Sequence, residues 1–150
     1  MTFSKISNLI IFILMTILIY IGYKVKFDIS VFKGTSTALE AYINFSSISL
    51  GFLGTIISMV TVLSKQPFLQ SVLSKKEAKA DFILLGIMTL LSGFITIILA
   101  VSLTFIIGNE NTGNNISLFT GNILIALIIL YFWNFILFLI INLFSIFNDV

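Results

Sequence analysis

The charges of this chain are spaced so that four long stretches carry none: residues 6–23, 41–64, 82–109 and 111–148. A helix needs about 20 mainly apolar residues to cross the hydrocarbon core of a bilayer. The spacing therefore predicts four transmembrane helices, near 6–23, 41–63, 82–107 and 122–147. The fourth is placed by the apolar part of its run, Ile123 to Phe147. Helices are preferred to barrel strands because lipid cannot satisfy backbone N–H and C=O groups, and because barrel strands alternate polar with apolar residues. The run Ile123-Leu124-Ile125-Ala126-Leu127-Ile128-Ile129-Leu130 does not alternate. The expected fold is all-α, an integral membrane four-helix bundle.

Composition agrees. Apolar residues make up 59% of the 150, charged residues 9%, and the mean hydropathy is +1.18. A soluble domain carries roughly 25% charged residues, so this surface has to meet something other than water. The first span could be mistaken for a secretory leader, but Gly22 runs into Tyr23-Lys24 with no small-x-small cleavage site. An uncleaved span is expected.

Between the spans the chain reads as an outer loop 24–40, a linker 64–81 and an outer loop 108–121. Thr37 with Glu40, and Ser74 with Glu77, have capping-box spacing, which starts the second helix near Ala38 and the third after Ser74. Pro67 suits the first turn of a short linker helix, and Gly108-Asn109 the end of the third span. Four spans put both termini and the linker on one side. That side carries Lys5, Lys65, Lys75, Lys76 and Lys79, against Lys24, Lys26 and Lys33 on the other. The positive-inside rule then places both termini in the cytoplasm. Tyr20, Tyr23 and Tyr42 fall at the opposite interface, where amphipathic rings prefer to sit.

Several chemistries are excluded. Without histidine or cysteine there is no disulfide, thiolate nucleophile, His–metal site or histidine base. All eight cations are lysine, so bidentate arginine clamps are absent, and a net charge of +2 is too small and dispersed for direct nucleic-acid binding. The six carboxylates are scattered, no Gly-rich phosphate loop occurs, and no cofactor is called for. No span holds a charge at depth, which counts against coupled transport and voltage sensing.

Polar residues within the spans recur at helical spacing. Span two carries Ser47, Gly51, Gly54 and Ser58, continuing to Thr61; span three carries Gly86, Thr89, Gly93 and Thr96, continuing to Ala100. Small residues let lipid-embedded helices approach closely. The plain reading is a tight antiparallel hairpin of spans two and three; the sharper one turns a stripe toward another protomer or a narrow polar path. The hydroxyls can also bond their own backbone carbonyls. Span four has a polar seam of Tyr131, Asn134 and Asn142, with Phe138 and Ser145 on the same face. It serves packing within one protomer or self-association around an axis, and Trp133 beside it also needs a partner for its N–H. In the linker, Phe68, Leu69, Val72 and Leu73 share one helical face, followed by Lys75, Lys76 and Lys79. With Lys65, these lysines contact either anionic lipid headgroups or a cytoplasmic protein partner.

The order of a short N-terminus, two spans, the stretch Ser49-Leu50-Gly51-Phe52-Leu53-Gly54-Thr55-Ile56-Ile57-Ser58, a lysine-bearing linker with Lys75-Lys76-Glu77, and two further spans resembles the small four-span membrane subunits of bacterial anti-phage defence operons, of the Kiwa membrane-subunit type. The resemblance covers the whole chain at the level of architecture and transfers no site residue. It implies a homo-oligomeric sensor in the bacterial inner membrane, working with a cytoplasmic DNA-binding effector. The expected function is thus a non-enzymatic membrane sensor or scaffold subunit that touches membrane lipids, self-associates and docks a cytoplasmic protein. The alternatives are a holin-like pore-former or toxin, and a small transporter or its accessory subunit.

Overall fold

In a computed structural model, residues 3–63, 76–108 and 114–147 are described. They form four helices: α1 Phe3–Val25, α2 Thr35–Leu63, α3 Lys76–Gly108 and α4 Asn114–Phe147. One 3₁₀ turn, Ile29–Val31, lies between α1 and α2. All four helices are long and apolar enough to cross a membrane. At 1.5 Å per residue, the 34 residues of α4 reach about 50 Å, well beyond a hydrocarbon core of about 30 Å.

Many of the apolar side chains point outward. Ile13, Ile17 and Ile21 on α1, Ile48 and Phe52 on α2, and Leu91, Ile98 and Phe105 on α3 are exposed. In water such a surface would aggregate; in lipid it is the required outer coat. The described chain is therefore an all-α bundle for a membrane, as its charge spacing requires.

The helices pack in the lateral order α2–α3–α4–α1. The α3/α4 hairpin is the central and most extensive contact, α2 lies along α3, and α1 lies along α4, while among the described residues α1 and α2 share at most a marginal contact. Three apolar clusters fill the contacts. Leu50, Leu53, Leu85, Tyr131, Leu137 and Phe138 join α2, α3 and α4. Ile11, Met15, Ala126 and Leu130 join α1 to α4. Leu39, Ala100, Leu103 and Leu124 close the end beside the first loop.

Two boundaries differ from expectation. α2 begins at Thr35, not near Ala38. The start is set by Gly34 at φ +87°, whose carbonyl accepts from Ala38 N–H, and by the Thr35 hydroxyl, which donates to the Ile29 and Phe32 carbonyls. The chain is already helical at Thr37, so the proposed capping box is bypassed. α4 begins at Asn114, so the polar stretch up to Gly121 is helix and not loop. Its Asn, Ser and Thr residues are poor interior formers but are tolerated where they bond across to a neighbour, and Ser117 and Asn122 do so. The Ser74–Glu77 cap and the Pro67 helix lie outside the described residues or their side chains.

Candidate functional site

α1 ends in a Schellman motif. Phe27 N–H donates to Gly22 C=O and Lys26 N–H to Tyr23 C=O, with Lys26 at φ +54° where glycine is usual. The motif turns the chain back over the end of the bundle. Asn122 of α4 receives it, donating to the Phe27 carbonyl at 2.9 Å and to its own Leu118 carbonyl at 2.7 Å. Gly22 sits against the Asn122 amide so closely that no Cβ fits there. Asp28 completes the clasp. Its carboxylate accepts from Ser30 N–H and Ser30 Oγ on one oxygen and from Ser117 Oγ of α4 on the other. Partial burial pushes the Asp28 pKa upward, but the three hydrogen bonds favour the anion more strongly and hold it below the ordinary carboxylate value.

Within the bilayer, polar groups pair across helices. Tyr131, fully buried on α4, shares a 2.7 Å hydrogen bond with Ser49 of α2. Tyr42 of α2, read as an interface anchor, donates at 2.7 Å to Thr96 of α3. Trp133 Nε1–H donates at 2.9 Å to Ser7 of α1, so the mid-span indole has the partner its position demanded. At the terminal side Ser4 of α1 donates to the Asp81 carboxylate of α3. Asn134 donates only to the Leu130 carbonyl one turn back, and its Oδ1 accepts nothing although the residue is 0% exposed. Asn8 and the Ser46 hydroxyl are also buried without a hydrogen-bond partner.

The two small-residue stripes have opposite fates. Gly86, Thr89, Gly93 and Thr96 of α3 are all buried. A Cβ on Gly93 would lie 2.6 Å from Leu50 Cδ2 and 2.8 Å from Tyr131 Cε2, so this glycine lets α2 and α4 reach α3 together. On Gly86 it would meet Phe138 and Ile57 at ordinary distances. The α2 stripe does not face α3. Ser47, Gly51 and Ser58 are exposed, Gly54 is half-buried, and Cβ atoms on Gly51 and Gly54 would meet nothing within 4 Å. α2 and α3 do pack, but the expectation that the two stripes meet is corrected. α2 turns Ser46, Ser49, Leu50 and Leu53 inward, because this adjacent face carries the two leucines that fill the core. As anticipated, the stripe hydroxyls bond backward: Ser47 to Ile43, Ser58 to Gly54, Thr89 to Leu85 and Thr96 to Gly93 carbonyls.

Of the remaining candidates, Lys79 is exposed on the first turns of α3. Lys76 opens α3 and Asn142 lies on α4, their side chains outside the described set, while Lys65 and Lys75 lie outside the described residues. Sequence reasoning missed Asp28, Ser117, Asn122 and Ser7. Nothing in spacing marks a lone polar residue that pairs with a distant helix. Ser46 and Ser49 were visible as a second hydroxyl pair on α2, overshadowed by the glycines next to them.

No protein-family model matches this chain, and no curated protein or solved structure matches it.

Proposed function

We propose that the chain is a non-enzymatic membrane subunit that self-associates through the exposed face of α2 and docks a soluble partner through residues 64–81, the linker and the first turns of α3. The observation that carries this reading is the α2 stripe. Glycine in a helix costs roughly 0.5–1 kcal/mol relative to alanine, and its advantage in lipid is close backbone approach. Gly93 uses that advantage inside the chain. Gly51 has no neighbour there to approach, and a second copy supplies one. The hydroxyls of Ser47 and Ser58 are already bonded to their own helix, so the face can be covered without stranding a donor. The lysine bias assigns the linker to the cytoplasm, and the resemblance to defence-operon subunits supplies the setting: a sensor of the bacterial inner membrane whose effector is soluble. Any such switch has to bind its stimulus differently in two packings.

The test is the mass of the intact assembly in mild detergent. Gly51→Leu with Gly54→Leu is expected to reduce it to one chain while the helical circular dichroism persists; an unchanged assembly refutes the interface. Charge reversal at Lys75, Lys76 and Lys79 is expected to remove the co-purifying protein and leave the assembly intact; unchanged co-purification refutes the docking role. A pore-former instead collapses the membrane potential on induced expression, which a potential-sensitive dye reads directly.

A further inference from the structure

At the end of the bundle beside the first loop, a cleft of about 850 Å³ opens between the last turns of α1 and the first turns of α4. Tyr20, Tyr23, Lys24 and Lys26 form one wall, Asn115 and Leu118 the other. The Lys24 ammonium lies 5.6 Å from the centre of the Tyr20 ring, a cation–π contact that keeps it over the cleft. Asp28 lines the cleft too, but both its oxygens are taken by Ser30 and Ser117, and it forms no ion pair with either lysine. The lysines are exposed, and no ion pair involves them among the described residues. The cleft thus carries two lysine charges without an ion pair and one carboxylate bonded to Ser30 and Ser117, leaving an excess of positive charge.

Two features fix the depth and the tail of an occupant. The apolar span of α1 ends at Val25, so Lys24 and Lys26 bracket the boundary between hydrocarbon and headgroups, with the tyrosines in the interfacial belt. Below them the cleft continues into a second groove of about 300 Å³, which shares Tyr20, Tyr23 and Leu118 and runs down to Thr16 and Ile19 of α1 beside Phe119 of α4. This lower groove is almost wholly apolar. A soluble phosphate has no use for it; an acyl chain fills it.

We infer that this cleft is a specific binding site for an anionic glycerophospholipid in the leaflet on the first-loop side, its phosphodiester on Lys24 and Lys26 and an acyl chain in the groove between α1 and α4. Lys26 has a further mark. It occupies the left-handed position of the Schellman motif, where glycine is unstrained and lysine is not. Lys26→Gly therefore removes the charge while relaxing the backbone, so loss of lipid cannot be ascribed to loss of fold.

The experiment is native mass spectrometry of the detergent-solubilised full chain, titrated with phosphatidylglycerol and with phosphatidylcholine. The wild type is expected to retain phosphatidylglycerol in preference. Lys24→Gln and Lys26→Gly are each expected to weaken that retention about fivefold, and together about thirtyfold, the contribution of a lysine at an anionic surface. The melting temperature of Lys26→Gly should match or exceed that of the wild type. Equal retention of the two lipids, or undiminished retention in the double variant, overturns the site. sn-Glycerol 3-phosphate, which carries the phosphate without the tail, is expected not to compete; competition at the concentration of the lipid overturns the lipid assignment in favour of a free phosphate ester. Should Lys24→Gln lower the melting temperature, Lys26→Gly alone decides.

Discussion

Gly93→Ala isolates the closest approach in the bundle. The added methyl would stand 2.6 and 3.2 Å from the two Leu50 methyls and 2.8 Å from Tyr131 Cε2. Ordinary carbon contacts are about 3.5–4.0 Å, so the shortfall is about 1 Å on two sides at once. Leu50 can rotate. Tyr131 cannot easily follow, since its hydroxyl is held by Ser49 at 2.7 Å and its ring packs against Phe132 and Phe135. Overpacking of this kind costs about 1–3 kcal/mol, while replacing a helical glycine by alanine returns up to about 1 kcal/mol. The cleanest reading is a comparison. Gly51→Ala on α2 makes the same chemical change in a helix with open space around it, so the propensity gain cancels in the difference. Unfolding by graded denaturing detergent, in dilute micelles holding single chains, should place Gly93→Ala about 1–3 kcal/mol below Gly51→Ala. Adding Leu50→Ala should recover part of the Gly93→Ala cost, because one of the two clashing groups is gone, giving a non-additive cycle. Equal stability of the two glycine variants, or strict additivity with Leu50→Ala, would refute the three-helix contact at Gly93.

Two further outcomes follow from the polar groups. Asp28 is held below its ordinary value in the folded chain, so its contribution is fully present above the unfolded-state carboxylate pKa near 3.8 and is lost as pH falls through the lower folded value. The stability of the wild type in an unfolding assay should therefore be level from neutral pH down to about the carboxylate range and fall below it. In the Asp28→Asn background this acid limb should vanish; an unchanged limb would show that another group controls the clasp. Asn134→Leu keeps the side-chain branching and removes a buried carbonyl that accepts nothing. Since the lost bond is one contact to the Leu130 carbonyl, and such bonds in membranes average about 0.6 kcal/mol, stability should change by less than about 1 kcal/mol in the unfolding assay. A loss of several kcal/mol would mean that Asn134 has a partner beyond this chain or from the residues not described.

The number of spans and their helical character were legible because they rest on one strong constraint, that lipid does not solvate charge or open backbone. Which face of each helix turns inward was legible for α3 and not for α2. On α3 the small residues and the buried residues coincide. On α2 two faces compete: one has Ser47, Gly51 and Gly54, the other Ser46, Ser49, Leu50 and Leu53. In water, burial of leucine would decide between them. In lipid that driving force is absent, so periodicity supplies no sign, and the outcome depends on which side chains fit beside Gly93 and Tyr131. The first-loop clasp was illegible for another reason. Asp28, Ser117 and Asn122 are isolated in sequence and meet only because Lys26 and Phe27 close the Schellman turn.

This contrast bears on how the bundle divides its work. A helix that placed the same stripe against its neighbour and against a second copy would have to break one contact to make the other. α2 avoids this by offering leucines and Ser49 to α3 and α4 while leaving the glycines of its other side uncovered. α1 is the complement. It touches the bundle through α4, with only a slight contact to α3, and its grooves lie along that single seam. Lipid that enters beside α1 and a protomer that packs on α2 would then act on opposite ends of the lateral order α2–α3–α4–α1. The two are connected through Gly93, Tyr131 and the α3/α4 hairpin, so tightening at one end can reach the other only by moving that central pair. Gly93→Ala, by parting α2, α3 and α4 at that central pair, is expected to change both the assembly mass and lipid retention at Lys24 and Lys26; a change in neither refutes the connection.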